Sequence, residues 1–221
     1  MLAKDASRSD EAKRARILEA AFEVCVQRGV SRARMEEVAA RAQVSKGTLY
    51  RFFASKEELL LASIIASYEE GLSIVYEHSP EAQDPLRALD SILEGLVKLL
   101  GATTASMMRV FYESWAIVAE QPEYRARLDA FMRDFHADRH REVAQLIRRG
   151  QQAGVFRAEV LPEVMGQSID ALLNGFCYWA TFDPDAATPD ALRAALDTLV
   201  RRVLVVDDAA LAPGARCAGS E

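Results

Sequence analysis

The sequence predicts an all-α fold of about nine helices, grouped as a small N-terminal three-helix bundle and a larger C-terminal helical domain. Apolar residues recur at three- and four-residue spacing along the chain, and no sustained period-two alternation marks a strand. Glycine and proline stand where helices would stop and start, at Gly29, Gly154, Pro85, Pro122, Pro162 and Pro189. Half of the 221 residues are hydrophobic, enough for a sizeable core in one large domain or two modest ones.

The first helix is expected to begin at Ser9 or Asp10 as N-cap and to run to Arg28, with Ile17, Leu18, Ala21, Val24 and Cys25 as its apolar stripe and Gly29 at C′. Two short helices follow, about Arg34 to Ala42 and Lys46 to Phe52. Ser55-Lys56-Glu57-Glu58 is a capping box that opens a helix reaching to about His78, and the Pro80–Pro85 stretch ends it. Amphipathic segments then span roughly Pro85 to Leu100, Thr104 to Glu120, and Pro122 to Ala153. The last two run from Pro162 to about Thr181 and from Pro189 to Val206, each with proline in its first turn. From Asp207 the periodicity vanishes and Ala, Gly and Pro accumulate, as in a disordered tail.

Charge is unevenly shared. Residues 1–60 carry twelve basic and nine acidic side chains, a net +3 that leaves −9 for the remainder of a chain whose total is −6. A basic head on an acidic body suits a polyanionic partner for the head alone. Three widely spaced cysteines (Cys25, Cys177, Cys217), with no CxxC pair, fit neither a disulfide framework nor a cysteine-rich zinc site. The charged N-terminus lacks the apolar region of a signal peptide, and no apolar run is long enough to span a bilayer. A cytoplasmic protein without a membrane partner is expected.

The stretch from Val38 to Leu59 carries the most information. Two two-turn helices joined by three residues form a helix-turn-helix, whose second helix can enter a DNA major groove. Val38, Ala39 and Ala42 give the first helix a small face, Val44 plugs the turn, and Leu49 and Phe53 anchor the second helix. Ser45, Lys46, Gly47, Thr48, Tyr50 and Arg51 are left toward solvent near a helix N-terminus, where free N–H groups suit a phosphate. Ser45 caps that terminus, and Gly47 lets the backbone lie against a groove wall. Lys46 and Thr48 can reach base edges, while Tyr50, Lys56 and Arg34 can hold phosphates.

These residues resemble the TetR family of bacterial regulators. The family pattern, an Ile/Val-Ala pair followed by Ala-Gly-Val-Ser-x-Gly-x-x-Tyr-x-x-Phe-x-x-Lys-x-x-Leu, is met by Val38, Ala39, Ala42, Val44, Ser45, Gly47, Tyr50, Phe53, Lys56 and Leu59. Ile17, Leu18, Ala21 and Gly29 match the family's first helix, and beyond residue 61 the likeness is one of architecture. Two positions depart from the pattern. Gln43 replaces a glycine in a turn that favours a left-handed conformation, at a cost of roughly 1–2 kcal/mol. Ala33 stands where a capping threonine is usual, so that hydroxyl's phosphate contact is missing.

The resemblance implies a division into a flexible N-terminus (1–8), a helix-turn-helix DNA-binding domain (9–55), a ligand-binding and dimerisation domain (56–206) and the tail (207–221). It also implies a transcriptional regulator, more often a repressor, that binds a palindromic operator as a homodimer and is released by a small-molecule effector. The aromatic stripes of the C-terminal helices mark the expected pocket: Met108, Phe111, Tyr112, Trp115, Phe131, Phe135, His136, Asn174, Phe176 and Trp179. For any one of these, ordinary core packing is the simpler reading. The last two helices are expected to form the dimer interface through Ile169, Leu172, Leu173, Leu192, Leu196, Leu199 and Val203. His136 and His140 lie four apart, a chelating spacing, but the sequence supplies no certain third ligand. Folding would have to bring Asp170 or Glu113 near, and neither metal nor cofactor is expected. The chain carries no GxSxG elbow, phosphate loop, HExxH pair or dinucleotide fingerprint, which argues against an enzyme. A protein-binding module that has lost DNA is the other alternative, and Lys46, Tyr50 and Lys56 speak against it.

Overall fold

A computed structural model describes residues 2–76 and 84–206, with the side chains of 2–8 and 76 excepted. The described residues are helical: α1 (Leu2–Arg28), α2 (Met35–Arg41), α3 (Lys46–Phe52), α4 (Lys56–Tyr76), α5 (Pro85–Ala102), α6 (Ala105–Ala119), α7 (Pro122–Gln152), α8 (Pro162–Trp179) and α9 (Pro189–Leu196). A π-helical turn, Asp197–Arg201, carries α9 into the short α10 (Arg202–Leu204). Residues 77–83, into which the sequence predicts α4 to run as far as about His78, and the expected disordered tail from Asp207 lie outside the described residues.

Local chemistry accounts for most boundaries. Asp84 and Thr188 cap α5 and α9, accepting from Leu86 N at 2.9 Å and Ala191 N at 3.1 Å, each with proline in the first turn. Gly29 (φ 83°) and Gly154 (φ 72°) take the left-handed conformation that stops α1 and α7. At the start of α4, Ser55 Oγ accepts from Glu58 N at 3.1 Å. The Glu58 carboxylate reaches back to Ala54 N at 2.8 Å, one residue before the cap.

Two expectations are corrected. Helix α1 begins at Leu2 rather than at a Ser9 or Asp10 cap, because nothing between Leu2 and Arg8 breaks a helix. The final helix is not one run from Pro189 to Val206. After Leu204 the chain extends, and Val205 forms an isolated antiparallel bridge with Phe156, flanked by Arg157 N to Leu204 O at 2.8 Å and Val206 N to Val155 O at 3.1 Å.

The chain forms two compact units. Unit 1 takes residues up to Glu70 together with Ala105–Met132, and unit 2 takes Gly71–Thr104 together with the residues from Arg133 onward. In unit 1 the core runs through Ile17, Val30, Leu49, Phe53, Leu61, Ile64, Val118 and Leu128. In unit 2 it runs through Leu89, Leu100, Ile147, Phe156, Ile169, Leu192, Leu196 and Leu204. Each such side chain contributes about 1.5–3 kcal/mol by leaving water. Within unit 2, α4 and α5 touch backbone to backbone at Gly95, where any Cβ would collide with Val75. Among the described residues no helix is long and apolar enough to cross a membrane.

Candidate nucleic-acid interface

Helices α2 and α3 are joined by Ala42, Gln43, Val44 and Ser45. Ala42 closes α2, Gln43 follows at φ 55°, and Val44 N bonds back to Ala39 O at 3.0 Å while Gln43 N bonds to Ala40 O at 3.2 Å. That pair of bonds is a Schellman motif, with glutamine in the left-handed position usually given to glycine. Gln43 is the one non-glycine residue with positive φ among those described, so the turn keeps its shape at the side chain's expense.

The turn seats Ser45 as the N-cap of α3. Its Oγ accepts from Thr48 N at 3.0 Å and lies 2.8 Å from Thr48 Oγ1. Leu49 and Phe53, both buried, hold the opposite side of α3 to the core. The exposed side offers Ser45, Lys46, Gly47, Tyr50 and Arg51, with Thr48 half-buried. A Cβ at Gly47 would meet only Ser45 Oγ, at 3.9 Å, so the residue leaves an open approach to its backbone. Arg34, the N-cap position of α2, is exposed and makes no side-chain cap bond.

Several of these cations are held by the protein itself. Lys46 Nζ donates to Glu36 Oε1 at 2.6 Å and lies 5.7 Å from the centroid of the Tyr50 ring. The hydrogen bond and charge of Lys46 hold the Glu36 carboxyl below its ordinary value, and Glu36 raises the Lys46 ammonium in turn. Arg51 reaches Asp10 at 3.4 Å, and Lys56 donates to Ser31 O at 3.0 Å. The ends of this region are tied to the rest of unit 1. Glu113 of α6 accepts from Val30 N at 3.2 Å, and Tyr124 of α7 bonds Ser55 Oγ at 3.0 Å. Sequence reasoning missed Glu36 and Tyr124 as partners, since contacts made across a turn or between distant helices leave no spacing signal.

The residues expected to line a pocket are divided between the units. In unit 1, Tyr68 lies edge-on to Phe111 and Phe131, with centroids 5.6 and 5.9 Å away, and Phe111 also meets Tyr112 and Trp115 at 5.5 and 5.8 Å. Met108 is half-buried on the same helix, α6, and Tyr68 is an addition that the sequence did not single out. In unit 2, Phe176 packs against the core, Trp179 is 59% exposed, and Asn174 donates to Asp170 O at 2.8 Å. Phe135 stands beside His136, with centroids 5.7 Å apart.

Asp170 is 9% exposed. His136 Nδ1 lies 2.6 Å and His140 Nε2 3.2 Å from its Oδ2, and Arg139 pairs with Oδ1. Burial alone would raise the Asp170 carboxyl, but the His136 hydrogen bond, the Arg139 charge and His140 outweigh it and hold the group below the usual carboxylate range.

Of the residues expected at a dimer interface, Ile169, Leu173, Leu192 and Leu196 are core residues of unit 2, and Leu172 packs against that core. Leu199 and Val203 are exposed, at 54% and 45%. The apolar period marked a buried face, and the chain's own α5 takes part in burying it.

Comparison with known proteins divides the chain into two successive segments instead. The model of bacterial regulatory proteins of the tetR family matches residues 17–63, and the C-terminal model of the BetI-type transcriptional repressors matches residues 85–205. The chain is 28% identical over 165 residues to the transcriptional regulator TtgR of Pseudomonas putida, covering 73% of this chain and 78% of that one. It is 26% identical over 210 residues to the repressor SCO4008 of Streptomyces coelicolor, covering 90% and 98%. A transcriptional regulator from Saccharomonospora viridis, solved in complex with choline, superposes with a TM-score of 0.69 at 22% identity, over 89% of this chain and all of that one.

Proposed function

The chain belongs to the TetR family of bacterial helix-turn-helix transcriptional regulators, and from that premise we propose that it binds a palindromic operator as a homodimer and is released by a small effector. The observation that carries the DNA half is the Schellman turn at Gln43. It sets α3 with its N-terminus, Lys46, Gly47 and Tyr50 outward while Leu49 and Phe53 stay in the core. The N–H groups and positive end of α3 suit a phosphate, and Lys46 and Thr48 are assigned to base edges. Tyr50, Lys56 and Arg34 are assigned to the backbone of the duplex, with Arg51 beside them.

A second copy would pack on the exposed apolar surface of the last helices, Leu199 and Val203 together with Trp179. The effector is assigned to the aromatic helices. Their ring faces suit a flat apolar compound or an organic cation. Choline, bound by the relative from Saccharomonospora viridis, is therefore one probe to try.

Fluorescence anisotropy on a labelled duplex from the region beside the protein's own gene tests the reading, with random duplex as competitor. Competitor-resistant binding of two protomers per site is expected. If a selection from random sequence yields no preferred site, operator recognition fails. If Leu199→Glu combined with Val203→Glu leaves the protein dimeric in sedimentation, the assigned interface fails.

A further inference from the structure

His136 and His140 stand one turn apart on α7, so both rings fall on the same helix face. Gly166 of α8 packs against the α7 backbone at His140. A Cβ there would lie 3.3 Å from His140 O and 3.6 Å from His140 Cα, so the absence of a side chain lets the two helices close. Asp170, one turn further along α8, is thereby delivered between the two imidazoles. The three candidate donor atoms all lie within 4.8 Å of one another.

We propose that His136 Nδ1, His140 Nε2 and Asp170 Oδ2 form a binding site for a divalent transition-metal ion of the Zn2+, Co2+ or Ni2+ class. Two imidazoles and a carboxylate are a donor set that such ions take readily. With metal–ligand bonds near 2.0–2.1 Å, donors in a tetrahedron sit about 3.4 Å apart. The His140–Asp170 separation of 3.2 Å is already close to that value. The 2.6 Å between His136 and Asp170 must widen by roughly 0.8 Å to fit the same geometry, which a small turn of the His136 ring supplies.

The outer shell is of the kind that fixes ligating groups. Arg139 holds Asp170 by its other oxygen, Oδ1, and its guanidinium lies 4.6 Å from the Phe135 ring centroid. Asn174 donates to the Asp170 carbonyl. The charge of Arg139 opposes a cation and sets a limit on affinity. Three protein ligands leave at least one coordination position for water or for an oxygen or nitrogen donor of a small molecule. A cleft of about 220 Å³, lined by His140, Arg141, Arg148, Glu163 and Gln167 among others, borders the site at His140.

The test is titration of the full chain, prepared without a polyhistidine tag, with Co2+ and then Zn2+. Binding is followed by equilibrium dialysis and by the visible spectrum of bound Co2+. One ion per protomer is expected. His136→Gln, His140→Gln and Asp170→Asn should each weaken binding by ~10-fold or more, and Glu123→Gln, at an exposed residue in the first turn of α7, should leave it unchanged. Asp170 is buried, so Asp170→Asn can fail to fold, which melting without metal would reveal. The two histidine variants, less buried, decide the matter without it. Equal binding by the natural chain and by the double histidine variant overturns the site and leaves the trio as an ion-paired network. No DNA enters this assay, so its outcome is separate from that of the operator experiment.

Discussion

Gln43 occupies a backbone conformation in which a Cβ meets the following carbonyl, and its φ of 55° places that cost on the turn that aims α3. Gln43→Gly is expected to raise unfolding stability by about 1 kcal/mol, the strain relieved less the added freedom of the unfolded chain. A lower urea midpoint in the variant would show that the glutamine side chain makes a compensating contact. The position itself was legible in the sequence, because a glutamine stood where the pattern wanted glycine. Whether the turn would keep its shape was not, since that depends on the Val44 N to Ala39 O bond closing around it. The cysteines behave in the same local manner. Desolvation pushes the Cys177 thiol up to about 11, and burial raises that of Cys25. At pH 8 the thiolate fraction of Cys177 should then be on the order of 100-fold below that of an ordinary cysteine. Alkylation followed by peptide mass mapping should find Cys177 slow in the folded chain and fast in urea; equal rates would refute the shift.

Helices were the most legible level of the structure. Proline at a first turn fixes its own φ, and glycine at C′ admits the left-handed conformation that ends a helix, both without help from the rest of the fold, so α5, α7, α8 and the start of α9 fell where the sequence put them. What periodicity cannot give is the identity of the neighbour. Leu192 and Leu196 form an apolar stripe whether a second copy or the chain's own α5 covers it, and the structure covers it from within. The π-helical turn at Asp197–Arg201 had no local signal either. It shifts the helix phase, leaving Leu199 and Val203 outside while Val200 and Leu204 remain inside. Two element-scale tests follow from packing and capping. Gly95→Ala forces α5 off the Val75 backbone and is expected to cost about 1–3 kcal/mol; unchanged stability in urea would mean that the two helices separate freely. Ser55→Ala removes the α4 cap and its Tyr124 bond and should cost about 1 kcal/mol, again read as a urea midpoint.

For the molecule as a whole, the net +3 of residues 1–60 against a total of −6 makes DNA affinity a matter of placement rather than of total charge. Affinity for duplex should fall steeply with salt despite the acidic chain. Lys56→Ala and Tyr50→Phe should weaken binding to all sequences, the former with a salt slope smaller by about one, whereas Thr48→Ala should alter sequence preference. Equal losses on operator and random duplex for all three variants would contradict that division. Domain organisation was the level least open to sequence reading, because unit 1 is assembled from two stretches separated by 34 residues of unit 2, Gly71–Thr104. Carboxylate and hydroxyl clips from Glu113 and Tyr124 fasten the second stretch to the first. This arrangement bears on inheritance. A single crossover between two related genes cannot transfer unit 1 alone: a junction near Glu70 would unite a head with another lineage's α6, and with whatever residue that lineage carries opposite Val30, while a junction near Met132 would carry Gly71–Thr104 of unit 2 along. A new specificity arrives with its supports intact only when the exchanged segment runs past Met132, or when both stretches change together.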